Sequence, residues 1–287
     1  MEIHEYRINC RGRCGIYSLI PFGDIHLGTK NCDEVKLQET IDYIKNKENC
    51  YWIGMGDFLD LINYHDKRFD PESLANWIPT KKLNQIASVQ IDRFVEYIKP
   101  IKHKCIGLLE GNHEESIAKY HDRKVVYDII QKLGNGIKNL SYTCFVRLLF
   151  NRALNNHHGA SNSIIIHASH GFGGGLYEGA SLNRLLRQAE FWDAEIFLVG
   201  HCHKKRTAMR NTIGMSHQGL ETVSKKRIFA LTGSFYRGYV GGSNSYVEKK
   251  GYPPSDIGVV KITIEPFRQI RISGKTKELR AHLHISE

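Results

Sequence analysis

Short apolar runs alternate along this chain with longer segments whose apolar residues recur at helical spacing. Residues 14–21 read as a strand that runs into Phe22-Gly23-Asp24-Ile25-His26. Over 33–48, Val35, Leu37, Ile41 and Ile44 follow the period of an amphipathic helix. A second strand, 51–55, ends in Gly56-Asp57-Phe58-Leu59-Asp60. A long helix is expected over 80–99, stopping before Pro100, which lacks the N–H that a continuing helix needs. A third strand, 103–109, ends in Glu110-Gly111-Asn112-His113-Glu114-Glu115, and a helix over 123–133 closes at Gly134.

Strands dominate from there. The pattern predicts them over 143–150, 163–168, 195–199, 205–211, 226–232, 257–265 and 267–273, with one helix over 180–192. Neither an internal repeat nor a compositional break marks a domain boundary. Residues 1–287 are therefore read as one domain, with its motifs in 24–203 and a basic, β-rich part over 204–287. Strand–helix alternation followed by consecutive strands suits an α/β fold (α+β by some schemes), a two-sheet mixed β-sandwich flanked by helices.

Five of the expected strands end in a tight turn holding Asp, Asn or His. Ligands of open α/β sheets gather at the carboxyl ends of strands, so residues distant in sequence can meet at one rim. Asp24 and His26 stand two apart on leaving the first strand. Asp57 follows Gly54-Met55-Gly56, whose glycines permit close backbone approach. Its two oxygens can bridge two cations, although an Asp after a strand also serves as a helix N-cap. Asn112 offers a neutral amide oxygen and leaves His113 free for acid–base work. His170-Gly171 ends a buried-looking run, with His167 three residues earlier as the alternative ligand. His201 and His203 flank Cys202, close enough in an extended turn to reach two adjacent metals. Any one of these histidines alone suits a structural role as well. Together they form a set of nitrogen and oxygen donors of the kind that Mn, Fe and Zn sites use.

In this order, DIH, GD, GNHE, HG and GHCH resemble the signature of the calcineurin-like metallophosphoesterase superfamily. The resemblance implies a helix-flanked two-sheet sandwich and two divalent metal ions, with Mn²⁺ the first choice and Fe or Zn²⁺ also fitting. It implies Asp24, His26, Asp57 and His203 as ligands of one metal. Asp57 would bridge to a second, completed by Asn112, His170 and His201. His113 would be the general acid, and Asp60 the carboxylate that orients it. The implied activity is phosphoester hydrolysis by metal-activated water. The Ser/Thr protein phosphatases continue GD as GDxxDRG, and here the arginine is absent while the second His of GHxH is kept. That combination is closer to phosphodiesterase and nuclease branches acting on nucleic acid or nucleotides, and the motifs HGFGGG and TGSFYRGY look like phage and prophage members. A phosphomonoesterase or protein phosphatase, and a non-catalytic binding platform on the same fold, are the competing readings.

Charge bears on the substrate. Residues 200–287 hold 16 Lys and Arg against 6 Asp and Glu, which accounts for the whole net charge of +10. A basic C-terminal third suits a phosphate-bearing substrate, DNA or RNA among them, or a simply solvated face. Three segments add to this: Gly171-Phe172-Gly173-Gly174-Gly175 as a phosphate cradle or a flexible loop, Lys204-Lys205-Arg206, and the stretch from Phe235 to Tyr252. In the last, Tyr236, Arg237, Tyr239, Tyr246, Lys249, Lys250 and Tyr252 interleave aromatic and cationic side chains, suited to stacked bases and phosphates or to a mobile surface loop of ordinary composition. Seven scattered cysteines fit reduced thiols, and the Cys10/Cys14 pair has no second pair to complete a zinc site. No run of 18 apolar residues occurs and no signal-like start is seen, so a cytoplasmic protein without a membrane partner is expected. Oligomeric state is not legible.

Overall fold

The structure is a computed structural model that describes all residues except 11–14, 63–65, 67–68, 135, 153–159, 172, 174–177, 216–221, 244 and 273–275. Its elements run β1 (Glu2–Cys10), β2 (Tyr17–Phe22), α1 (Glu34–Asn46), β3 (Cys50–Gly54), α2 (Ile86–Ile98), β4 (Cys105–Leu108), α3 (Asn112–His121) and α4 (Val125–Leu133). They continue through β5 (Thr143–Arg152), β6 (Ala160–Ser169), α5 (Glu178–Arg187), β7 (Ile196–Val199), β8 (Lys205–Met215) and β9 (Thr222–Ser234). The chain ends with α6 (Tyr246–Lys250), β10 (Gly258–Val259), β11 (Lys261–Ile272) and β12 (Thr276–Ser286).

Among the described residues the strands form two mixed sheets, ordered β1-β5-β6-β7-β9-β10 with β8 on β9, and β12-β11-β2-β3-β4. β2, β3 and β4 are mutually parallel, as are β6, β7 and β9. The C-terminal part does not build a sheet of its own: β11 pairs with β2, and β9 lies beside β7. Between the sheets, Ile166, Leu198 and Ile228 of one face Leu19, Ile53 and Ile262 of the other. On the outer face of the second sheet, Phe22 and Trp52 pack against Leu37 and Ile41 of α1 and Phe94 of α2. Phe197 and Phe229 on the outer face of the first sheet meet Leu185 of α5. The result is the expected helix-flanked, two-sheet sandwich. Burying each such large apolar side chain contributes about 1.5–3 kcal/mol.

Local sequence explains the helices. Asp33 caps α1, its side chain accepting the Lys36 N–H at 2.9 Å, and Leu37, Ile41 and Ile44 form the buried stripe. Val35, expected in that stripe, is 73 % exposed. The helix expected over 80–99 divides into a 3-10 segment, Thr80–Gln85, and α2, because Lys82 leaves the helical region at φ −113°, ψ 19°. The strands expected over 257–265 and 267–273 are instead a short β10 on the first sheet and a continuous β11 on the second, with a bulge between Glu265 and Arg268. Cys14 lies outside the described residues; Cys10, Cys32, Cys50, Cys105, Cys144 and Cys202 are free thiols. No helix among the described residues is long and apolar enough to cross a membrane.

Candidate metal centre

The parallel strands bring their carboxyl ends to one rim, and the motif residues follow those ends. Asp24 and His26 leave β2, Asp57 leaves β3, Asn112 opens α3 after β4, His170 follows β6, and His201 and His203 follow β7. The chain turns sharply there. Asp24, His26, Asp57, His201 and His203 all have φ between 47° and 65°. Asp and His enter this left-handed region more readily than most side chains, at a cost of order 1–3 kcal/mol each, and such strain collects at functional sites. The motif glycines allow backbones to touch: a Cβ on Gly111 would stand 2.2 Å from Asp57 N, and one on Gly56 2.7 Å from Gly111 N.

Among the described residues, Asp24, His26 and His203 form one group of donors, Asp57, His170 and His201 a second, and His26, Asp60 and His113 a third, each with its ligand atoms within 4.8 Å of one another. His26 Nε2 and His203 Nε2 are 3.0 Å apart, and His203 Nε2 is 3.7 Å from Asp24 Oδ1. In the second group His170 Nε2 lies 3.3 Å from Asp57 Oδ2 and 3.0 Å from Asn112 Oδ1. Asp57 Oδ2 is also 3.9 Å from His26 Nε2, which places this carboxylate between the first and second groups.

These residues fit divalent cations. Ligand atoms about 2.1 Å from one ion stand roughly 3.0–3.5 Å apart, close to the spacings observed. Two buried donor atoms, Asp24 Oδ1 and His201 Nδ1, have no hydrogen-bond partner among the described residues, and buried polar atoms are rarely left so. Other bonds aim the donors. The His201 N–H donates to Asp24 Oδ2 at 2.8 Å, and His170 Nδ1 faces the Met55 carbonyl at 2.8 Å. A carbonyl only accepts, so the His170 proton sits on Nδ1 and Nε2 is presented to the site.

Charge is distributed accordingly. Burial, with the neighbouring His113 and His203 rings, holds His26 well below the ordinary histidine pKa. Burial likewise lowers His203 to about 4 and depresses His201. These rings are neutral at neutral pH, as ligation requires. Burial also works against charge on His170, yet the Asp57 carboxylate overrides it and lifts His170 to about 10. A cation bound there has to displace that proton. Burial drives Asp24 well above its usual value; burial acts the same way on Asp57, but the His170 and His113 charges override it and keep Asp57 well below.

His113 stands beside the first group, its ring centroid 4.7 Å from that of His26. Burial opposes its protonation, but the charges of Asp57 and Asp60 raise its pKa. Asp60 contacts His113: its main-chain oxygen lies 2.5 Å from His113 Nδ1. The carboxylate is near, within 4.8 Å of ring nitrogens of His26 and His113. Of the two histidines weighed for the second group, only His170 is there. His167 points to the other face of β6, stacked on Trp192 at 5.2 Å and packed against Phe145. Cys202 packs with the apolar cluster around Leu185 and Leu231.

Sequence reasoning assigned no role to Glu114, and placed Tyr236 in the aromatic and cationic stretch after β9 without connecting it to the donors. Glu114 Oε2 accepts the N–H groups of Gly111 and Asp57, each at 2.9 Å, and Oε1 that of Phe58 at 2.9 Å. Its signal was the carboxylate three residues after Gly111, the spacing of a helix N-terminal capping residue. Tyr236 sets its ring 5.3 Å from that of His26 and 5.6 Å from that of His203. The glycine-rich cradle expected after His170 falls largely on residues outside those described, Phe172, Gly174 and Gly175.

No family model matches the sequence, and neither does any curated protein. Among solved structures, a conserved uncharacterized protein of Streptococcus pneumoniae TIGR4, described as a predicted phosphoesterase, aligns over 95% of this chain and 99% of its own. The two share 12% identity at a TM-score of 0.32. That likeness gives no support to the phage and prophage kinship expected from the glycine-rich motifs.

Proposed function

We propose that this protein is a metal-dependent phosphoesterase that holds two divalent cations and acts as a phosphodiesterase on nucleic acid or a nucleotide. The observation that carries this reading is the meeting of two donor groups at Asp57, with His113 beside them. Asp24, His26 and His203 would hold one cation, and Asn112, His170 and His201 the other, with Asp57 shared. The all nitrogen-and-oxygen donor set suits Mn²⁺, Fe or Zn²⁺. Bound cations supply Lewis-acid stabilisation of the phosphoryl oxygens and acidify water at neutral pH.

The chain's own residues supply the rest. His113 keeps a proton on Nδ1 against the Asp60 carbonyl, so Nε2 is the atom that gives its proton to the leaving oxygen. Burial opposes a proton on that ring, and the flanking carboxylates of Asp57 and Asp60 favour it and raise its pKa. Glu114 holds the Asp57 loop and the start of α3 in one frame. The diester preference rests on the missing arginine after Asp60 and on the retained His203.

Hydrolysis of bis-p-nitrophenyl phosphate and p-nitrophenyl phosphate, with Mn²⁺ and with chelator, tests the proposal. Chelator-sensitive turnover favouring the diester is expected. Preference for the monoester would move the protein to the phosphatase branch. Absence of both activities with two metals bound would leave a binding platform.

A further inference from the structure

Tyr236, which walls the first donor group, is continuous with an aromatic patch on the surface. Its hydroxyl lies against the Ser245 side chain and the main-chain N–H of Tyr246. From there Tyr246 turns outward, 58 % exposed, with its ring 5.6 Å from that of Tyr252 at 71°. Tyr239, 49 % exposed, donates its hydroxyl to the Tyr252 carbonyl at 2.7 Å. The backbone beneath is pinned: Asn31 Nδ2 donates to the Arg237 carbonyl at 2.7 Å, and the Glu248 N–H to Ser245 Oγ at 3.0 Å. Lys249 and Lys250 are exposed on the single turn of α6, with no ion pair among the described residues.

We infer that this platform, running outward from Tyr236 through Tyr246, Tyr252 and Tyr239 with Lys249 and Lys250 at its edge, binds single-stranded nucleic acid leading to the metal centre. The inference rests on the phosphodiesterase reading and names the substrate of that same site. Exposed, pre-positioned rings stack on unpaired bases of any sequence, while adjacent cations meet the phosphates. A duplex hides its base faces and leaves such rings unused. One further cation stands near the same rim: Lys205, the first residue of β8, opposite Thr232 of β9.

Anisotropy of fluorescein-labelled twelve-residue oligo-dT and oligo-rU, measured in chelator so that no cleavage occurs, tests this beside a matched duplex. The unmodified protein is expected to bind the single strands more tightly than the duplex. Tyr246→Ala should weaken single-strand binding roughly ten-fold or more, whereas Tyr246→Phe, which keeps the ring, should stay within about two-fold. Lys249→Gln with Lys250→Gln should flatten the salt dependence by about 1.4 in log K against log salt, two phosphate contacts' worth for a single strand. Equal binding by Tyr246→Ala and the unmodified protein, or preference for the duplex, overturns the inference. Diester turnover without strand binding also overturns it and leaves the phosphoesterase reading intact. Strand binding without turnover of either nitrophenyl ester, with two metals bound, supports the strand platform and removes the phosphoesterase reading.

Discussion

Glu114 holds Asp57 by its main chain: one carboxylate oxygen accepts both the Asp57 N–H and the Gly111 N–H at 2.9 Å. The other oxygen accepts the Phe58 N–H. The carboxylate thus ties the loop after β3 to the first turn of α3, and through the His113 N–H that donates to Asp57 Oδ1 at 3.0 Å the tie is reciprocal. The arrangement needs an acceptor at both oxygens. Burial and the Asp57 charge push the Glu114 pKa up to about 7, against the N–H groups that favour its charged form.

Glu114→Gln presents an amide NH₂ to at least one of these N–H groups. The variant is expected to lose about 1–3 kcal/mol of stability, the cost of stranding a buried donor. Urea unfolding of the variant beside the parent protein measures this. Unfolding curves that superimpose would show the contacts to be dispensable.

His113→Ala should keep both metals and lose activity by about 10²–10⁴-fold, the usual worth of a general acid. Metal content and turnover of the diester are read on the same preparation. An undiminished rate would remove His113 from the acid role.

Asp57→Asn replaces the carboxylate placed between the two donor groups with an amide. Loss of metal and of activity together is the expected result, read by elemental analysis and diester turnover. A fully metallated, active variant would sink the sharing of Asp57.

His167 and His170 make an internal comparison. His170→Ala should lose metal, and His167→Phe should keep it, since His167 lies in an aromatic cluster away from the donors. Burial lowers the His167 pKa to about 4, and among the described residues neither ring nitrogen meets a partner in hydrogen-bond geometry, the nearby Gln188 side chain included. The unfolded chain takes up this proton below pH 6.5, while the folded chain resists until about pH 4. His167 thus disfavours folding progressively as pH falls through that window, by at most about 3 kcal/mol. His167→Phe should flatten the fall in stability between pH 6.5 and 4 relative to the parent. Parallel pH profiles for the two proteins would refute a buried neutral His167.

The sandwich was legible because its central strands and the helices over them are buried along clear stripes. Ile20, Phe22, Trp52 and Ile53 leave little choice but a covered sheet, and Leu37, Ile41 and Ile44 little but a helix above it. The edge strands were not legible. In β1 the apolar Ile3 faces outward at 76 % exposure while His4 and Tyr6 turn inward, so alternation in the sequence misleads. α3 escaped notice because Glu114, a carboxylate held by backbone N–H groups, is buried where an apolar residue is usual.

What the sequence by itself determined is the donor inventory and its placement at strand ends. Apolar runs broken by Gly and then Asp, Asn or His say where the chain leaves the sheet and with which side chains. Only the tertiary structure decided which donors share a site, that His170 rather than His167 faces Asp57, and that the Asp60 main-chain oxygen contacts His113. Those outcomes depend on the side of a strand and on contacts between segments more than 50 residues apart, such as Asp57 with Glu114 and Asp24 with His201. Local spacing carries no information about which strand ends become neighbours; the packing of the two sheets supplies it.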